Sequence, residues 1–236
     1  MGEARRSFHQ SLEELQRQIV DFANLIADGI PKVTEALLTS DLDLARSVID
    51  ADDQLDELSI TIEESCLKML ALQQPMASDL RALVSAVKLN WELERTGDLV
   101  VNLGKVVRRI YGVELTPRVR ELIEQMGAEA HLLTARAVEA YAKGDAALAA
   151  ALDDMDDALD ALQTEYAQTI IAAHERGEID LQTAVQLAYI GRFYERIGDH
   201  AVNVGERIRY MVTGWLPEHT GAARAAARSK RQLESS

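Results

Sequence analysis

The chain repeats itself. Glu35, Ala36, Asp41, Leu44, Ala45, Asp52, Asp53, Leu55, Asp56 and Leu58 recur as Glu139, Ala140, Asp145, Leu148, Ala149, Asp156, Asp157, Leu159, Asp160 and Leu162, at a constant offset of 104. Further on, Asp79, Leu80, Glu94, Arg95, Gly97, Asp98, Val101 and Asn102 recur as Asp180, Leu181, Glu195, Arg196, Gly198, Asp199, Val202 and Asn203, at an offset of 101. One three-residue contraction between the two sets reconciles the offsets. Such a repeat constrains the fold more than any local signal, because both copies must form the same supersecondary unit.

The unit is helical. Phe8, Leu12, Leu15, Ile19, Phe22 and Ile26 follow helical spacing, and alternating strand patterns of useful length are absent. The first helix is read to about Leu38. A second starts at Ser40 and Asp41 and carries Leu44, Val48, Leu55, Leu58, Ile62, Cys66 and Met69 to the break at Pro75. A third spans Ser78 to Tyr111 and closes at Gly112. Thr116 and Pro117 open a fourth with a cap and a first-turn proline; it runs to Gly144. A fifth covers Asp145 to Arg176, and a sixth runs from Asp180 to Thr213, ended by Gly214 and Pro217. The expected architecture is all-α: six long helices forming two tandem three-helix bundles, 1–113 and 117–214, with short antiparallel connections.

Charge narrows the partners. The 236 residues carry a net charge of -14, and residues 1–217 alone hold 21 bases against 37 acids. Such a body repels phosphate backbones and concentrates cations, so no nucleic-acid partner is expected. Residues 218–236 are basic and too polar to bury a face, and are read as a disordered tail. The first residues lack the apolar run of a signal peptide, no stretch is long enough to span a bilayer, and the single cysteine, Cys66, permits no intrachain disulfide. A cytoplasmic protein that meets membranes only through partners is expected, with Cys66 a buried, inert thiol.

The chemistry concentrates in the third helix of each half. Glu94, Asp98 and Asn102, and again Glu195, Asp199 and Asn203, stand four apart and so line one stripe of a helix. Gly97 and Gly198 sit beside them. A glycine within a helix costs about 1 kcal/mol relative to alanine, so its recurrence implies a neighbour closer than a methyl group permits. Asp52 with Asp56, and Asp156 with Asp160, add acidic pairs on the second and fifth helices, where the stripes of one bundle can meet. Oxygen donors without clustered His or Cys suit magnesium, manganese or iron better than zinc. Glu94, Asp98, Glu195 and Asp199 are the candidate metal ligands; Asn102, Asn203, Asp52, Asp56, Asp156 and Asp160 are candidate further ligands or supports. Arg95 and Arg196 point about 100° away and are assigned to ion pairs with a neighbouring helix.

These motifs resemble the PhoU family, whose hallmark is an acid followed four residues later by Asp, in a Glu-Arg-x-Gly-Asp setting, once per half. The resemblance extends over Phe8 and Leu12, Val48-Ile49-Asp50 with Asp52, Gln74-Pro75, Asp79-Leu80-Arg81, both stripes, and Glu206 through Tyr210 to Gly214. Thr96 departs from the usual isoleucine, and Gln182 stands where the first half has Arg81. The resemblance implies two three-helix bundles, metal at both stripes, a homodimer, and repression of phosphate uptake and signalling when phosphate suffices. It implies two partners: the ATPase of the phosphate ABC transporter and the phosphate-sensing histidine kinase.

Two other readings are weaker. A carboxylate-bridged oxidase needs a Glu three residues before a His, and none of His9, His131, His174, His200 or His219 has one. A purely structural scaffold leaves the duplicated stripes unexplained. No phosphate loop, nucleophile elbow or His-centred triad is present, so no enzymatic activity is expected. His200 is read as a surface or salt-bridged residue. Trp91 and Trp215 are read as packing residues, with Trp91 the one placed to join an interaction surface.

Overall fold

The computed structural model describes residues 2–215, which form seven helices and no strands. They are α1 (Gly2–Thr39), α2 (Leu42–Asp50), α3 (Asp52–Gln73), α4 (Ser78–Arg109), α5 (Pro117–Lys143), α6 (Ala146–Glu175) and α7 (Leu181–Thr213). The tail at 218–236 lies outside the described residues. The caps follow the repeat: Asp41 accepts from the amides of Asp43 and Leu44, and Asp145 from those of Ala147 and Leu148. Thr116 caps α5 ahead of Pro117, and Gly144 ends it in the left-handed region at φ 62°.

One boundary differs from the expectation. The helix foreseen from Ser40 to Pro75 is two helices, interrupted at Ala51, whereas its counterpart α6 is continuous. Ala51 keeps right-handed helical angles (φ -74°, ψ -12°), so the chain bends without reversing. No proline or glycine forces the break.

A single hydrophobic core runs through both halves. α4 and α7 lie antiparallel across the join. Arg109 meets Gln186 at one end, Glu92 meets His200 and Asn203 midway, and Arg81 lies against Gly214 at the other end. α1 and α5 form the second crossing. Pro31 lies inside α1 and has no N–H to give the carbonyl of Ala27. His131 of α5 fills that place, its Nδ1–H donating to Ala27 O at 3.0 Å. Deeper in, Thr34 Oγ1 and the Tyr194 hydroxyl share a buried hydrogen bond of 2.6 Å. At these points polar groups of one half are satisfied by the other, which ties the halves into one body.

Candidate metal centres and the junction between them

Each stripe occupies the outward side of its helix, with Gly97 and Gly198 turned toward the bundle. Glu94 and Glu195 are half-buried, with side-chain exposures of 32% and 18%. Burial pushes both carboxyls above their ordinary value of 4.5. Arg95 pulls Glu94 back, but Asp98 on its own helix and Asp56 of α3 push it up again. The second half repeats this: Arg192 pulls Glu195 down, while Asp199 and Asp160 of α6 push it up. Asp52 is raised by burial and then by Asp56, and feels Asp98 across the groove. In both halves, therefore, an acid of the preceding helix, Asp56 or Asp160, adds its repulsion to the stripe.

The arginines behave differently from the expectation. Arg95 does not reach a neighbouring helix; its Nη1 donates to Asp98 Oδ2 at 3.2 Å, one turn along α4. Arg196 makes no ion pair with any described residue, and Arg192, bonded to Glu195, takes the supporting place. For Arg95 the reason is reach: residues three apart on one helix face are already neighbours, so the local partner wins over a distant one.

The glycines also part company. A Cβ on Gly198 would stand 2.2 Å from Asp156 Oδ1 and 2.8 Å from Leu159 Cδ2, so that glycine is demanded by contact. At Gly97 the nearest atom, Leu55 Cδ1, would be at an ordinary 3.4 Å. Asp156 is correspondingly buried at 5% exposure, while its counterpart Asp52 is only half-buried. Asn203 is not directed at its stripe alone: its Nδ2 donates to Glu92 Oε2 at 3.1 Å. Asn102, Asp160 and Asp199 lie on the groove or its rim, half-buried or exposed. Among the described residues, no three His, Cys, Asp or Glu side chains are gathered into a set that holds a metal ion in this arrangement.

Sequence reasoning passed over Glu92. It receives His200 Nδ1–H at 2.7 Å and Asn203 together, linking α4 to α7 between the two stripes. Burial raises its carboxyl, but the bonds from His200 and Asn203, with the charges of His200 and Arg207, outweigh that and hold it below 4.5. The available signal was the repeat itself, since Glu92 falls opposite Phe193 and so breaks the equivalence of the halves. Trp91 is 63% exposed and so is available to an interaction surface more than to the core, and Trp215 is 59% exposed. Cys66 is fully buried, and burial pushes its thiol up to about 11, which keeps it protonated and unreactive at neutral pH.

The raised carboxyls set a pH dependence. A carboxyl with a higher pKa when folded holds its proton longer than the unfolded chain does, so stability falls as pH rises through that window. Replacing Glu94 and Glu195 together by Gln is therefore expected to raise the melting temperature at pH 7. Below about pH 4, where both states are protonated, the gain should vanish. Thermal melts across pH in the presence of a chelator check this; equal gains at both ends of the range contradict the electrostatic account.

Comparison with known proteins gives one consistent result. The PhoU domain family matches residues 7–107 and 123–208. The phosphate-specific transport system accessory protein PhoU homolog 1 of Mycobacterium tuberculosis is 35% identical over 214 residues, covering 90% of this chain and 96% of that protein. The PhoU homolog of Rhizobium meliloti is 30% identical, covering 90% of each. The crystal structure of PhoU from Pseudomonas aeruginosa superposes with a TM-score of 0.84 at 27% identity, covering 88% of this chain and all (100%) of that one. That of the phosphate transport system regulatory protein PhoU from Streptococcus pneumoniae gives 0.82 at 27% identity, covering 89% and 98%.

Proposed function

The chain belongs to the PhoU family, and from that premise we propose that it is a cytoplasmic, cation-binding regulatory adaptor. It restrains uptake by the phosphate ABC transporter, through that transporter's ATPase, and signalling by the phosphate-sensing histidine kinase. It acts as a homodimer and without turnover. The relatives carry the names of accessory and regulatory proteins, which supports the non-enzymatic reading. No helix among the described residues is long and apolar enough to cross a membrane, which agrees with reaching the membrane through a partner.

The observation that carries the cation reading is the mutual repulsion of acids from two helices in each half. Glu94 is pushed up by Asp98 and Asp56, and Glu195 by Asp199 and Asp160, with no soft donor among them. The donor set fits a hard or borderline cation such as magnesium, manganese or iron. Glu94 and Asp98 would hold it in the first half, and Glu195 and Asp199 in the second. Asn102 and Asn203 would assist as neutral oxygens, with Asp52, Asp56, Asp156 and Asp160 as further ligands or supports. A bound divalent ion supplies the positive charge that offsets this repulsion. Arg95 on Asp98 and Arg192 on Glu195 occupy the carboxylates beforehand, so they must turn aside as the ion enters.

The test is metal content and binding. Elemental analysis of natively purified protein is expected to find a divalent or transition metal, and chelated protein is expected to take up Mn²⁺ or Fe²⁺ in a calorimeter. Replacing Glu94, Asp98, Glu195 and Asp199 together by Ala should remove that binding while helical content persists. Unchanged metal content in this variant would falsify the ligand assignment.

A further inference from the structure

A cavity of ≈ 250 Å³ lies in the first half between α1, the Ala51 break and α4. Its walls are apolar, with Ile26, Val48, Leu55 and Val101 among them, and Gly29, Ala51 and Gly97 complete them. At Gly29 the room is taken: a Cβ there would stand 3.1 Å from Val100 Cγ1, so that glycine serves the close approach of α1 to α4. Ala51 stands where the repeat places Met155, which packs against the core. The first half thus carries a small side chain at the cavity wall where the second half carries a bulky one.

The mouth is polar. Lys32, Ser47 and Gln54 line it and are exposed. Lys32 makes no ion pair with any described residue, whereas its counterpart Arg136 is bonded to Glu139 at 2.6 Å. Asp52 follows Ala51 and Asp98 follows Gly97, so acids flank the same walls. A lone ammonium over an apolar space attracts an anionic head on an apolar body. The acidic body opposes every negative charge brought to it, so nucleotides and other polyanions are disfavoured more than a ligand with a single charge. A dry cavity of about 150 Å³ already accepts benzene, so this one has room for a chain of several carbons.

We infer that this cavity is a binding site for a small amphipathic monocarboxylate. The apolar part lies among Ile26, Leu55 and Val101, and the carboxylate sits on the Lys32 Nζ. The inference does not depend on the metal reading, although the cavity adjoins the acids of the first half.

Octanoate serves as the probe and 1-octanol as its uncharged control, titrated into the full-length chelated protein by calorimetry. Saturable one-to-one octanoate binding is expected. Lys32→Gln should weaken octanoate about tenfold, the loss of one charge-assisted contact, and leave octanol unchanged. Ala51→Met, which copies Met155, should remove octanoate binding and raise the melting temperature by filling the space. Because that variant could misfold, methyl NMR of the unmodified protein gives a second reading: octanoate should shift the methyls of Ile26, Leu55 and Val101. The inference is overturned by any of four results: no saturable octanoate binding, octanol binding as tightly as octanoate, a folded Ala51→Met variant that binds undiminished, or shifts confined to other methyls.

Discussion

Deleting this protein is expected to release the phosphate-starvation response in cells with ample phosphate, and the variant lacking the carboxylates of Glu94, Asp98, Glu195 and Asp199 is expected to do the same while staying folded and abundant. The physical basis is charge. Removing acids that repel one another relieves the repulsion, so the metal-free variant fold gains what the wild type lacks without its ion. An ion bound only to the folded state stabilises by mass action, and the variant forgoes that contribution. If the stripes serve only to hold the bundle, melting temperature and cellular abundance fall together with repression. If they form the signalling surface, repression is lost at normal abundance. Reporter output and protein level measured in the same cells separate the two. Normal repression in the deletion strain at high phosphate, with no second copy to cover for it, removes the regulatory reading.

The second large effect is steric. Gly104 and Gly205 are counterparts on α4 and α7, yet a Cβ on Gly205 would stand 2.6 Å from the carbonyl oxygen of Ala149. Backbone cannot step aside as a side-chain end can, so Gly205→Ala should cost about 1–3 kcal/mol through displacement of α6 from α7. Gly97→Ala runs the other way. Its new methyl meets Leu55 at 3.4 Å, an ordinary contact, and alanine in mid-helix is worth up to about 1 kcal/mol over glycine. Denaturant melts of the two single variants measure the contrast directly. A Gly205→Ala variant as stable as the wild type would show that α6 and α7 pack less tightly than described.

Gly97 also carries the main lesson of the sequence. Its recurrence as Gly198 was read as one requirement met twice, but only Gly198 is pressed by a neighbour, the buried Asp156. Identity between repeats records a shared ancestor and a shared helix face, whereas contact depends on what the facing helix presents. Ala51 interrupts in the first half a helix that is continuous in the second, and it stands where the second half carries Met155, which packs against the core. Arg95 was sent to the wrong partner for a related reason: helical geometry gives an angle around the axis, and a long side chain bends back along it to Asp98.

What the sequence by itself determined is whatever repeats with the period of a helix. The offsets of 104 and 101, the apolar spacing, the caps at Asp41 and Asp145 and the stripes Glu94–Asp98 and Glu195–Asp199 are all local or periodic, so they were legible from residue order alone. What only the tertiary structure decided is how one half meets the other. Glu92 with His200 and Asn203, His131 on the carbonyl left open by Pro31, and Thr34 with Tyr194 each join residues more than a hundred positions apart. Such contacts leave no periodic trace, because they are fixed by where two helices cross and by which volumes and hydrogen-bonding groups remain to be matched there.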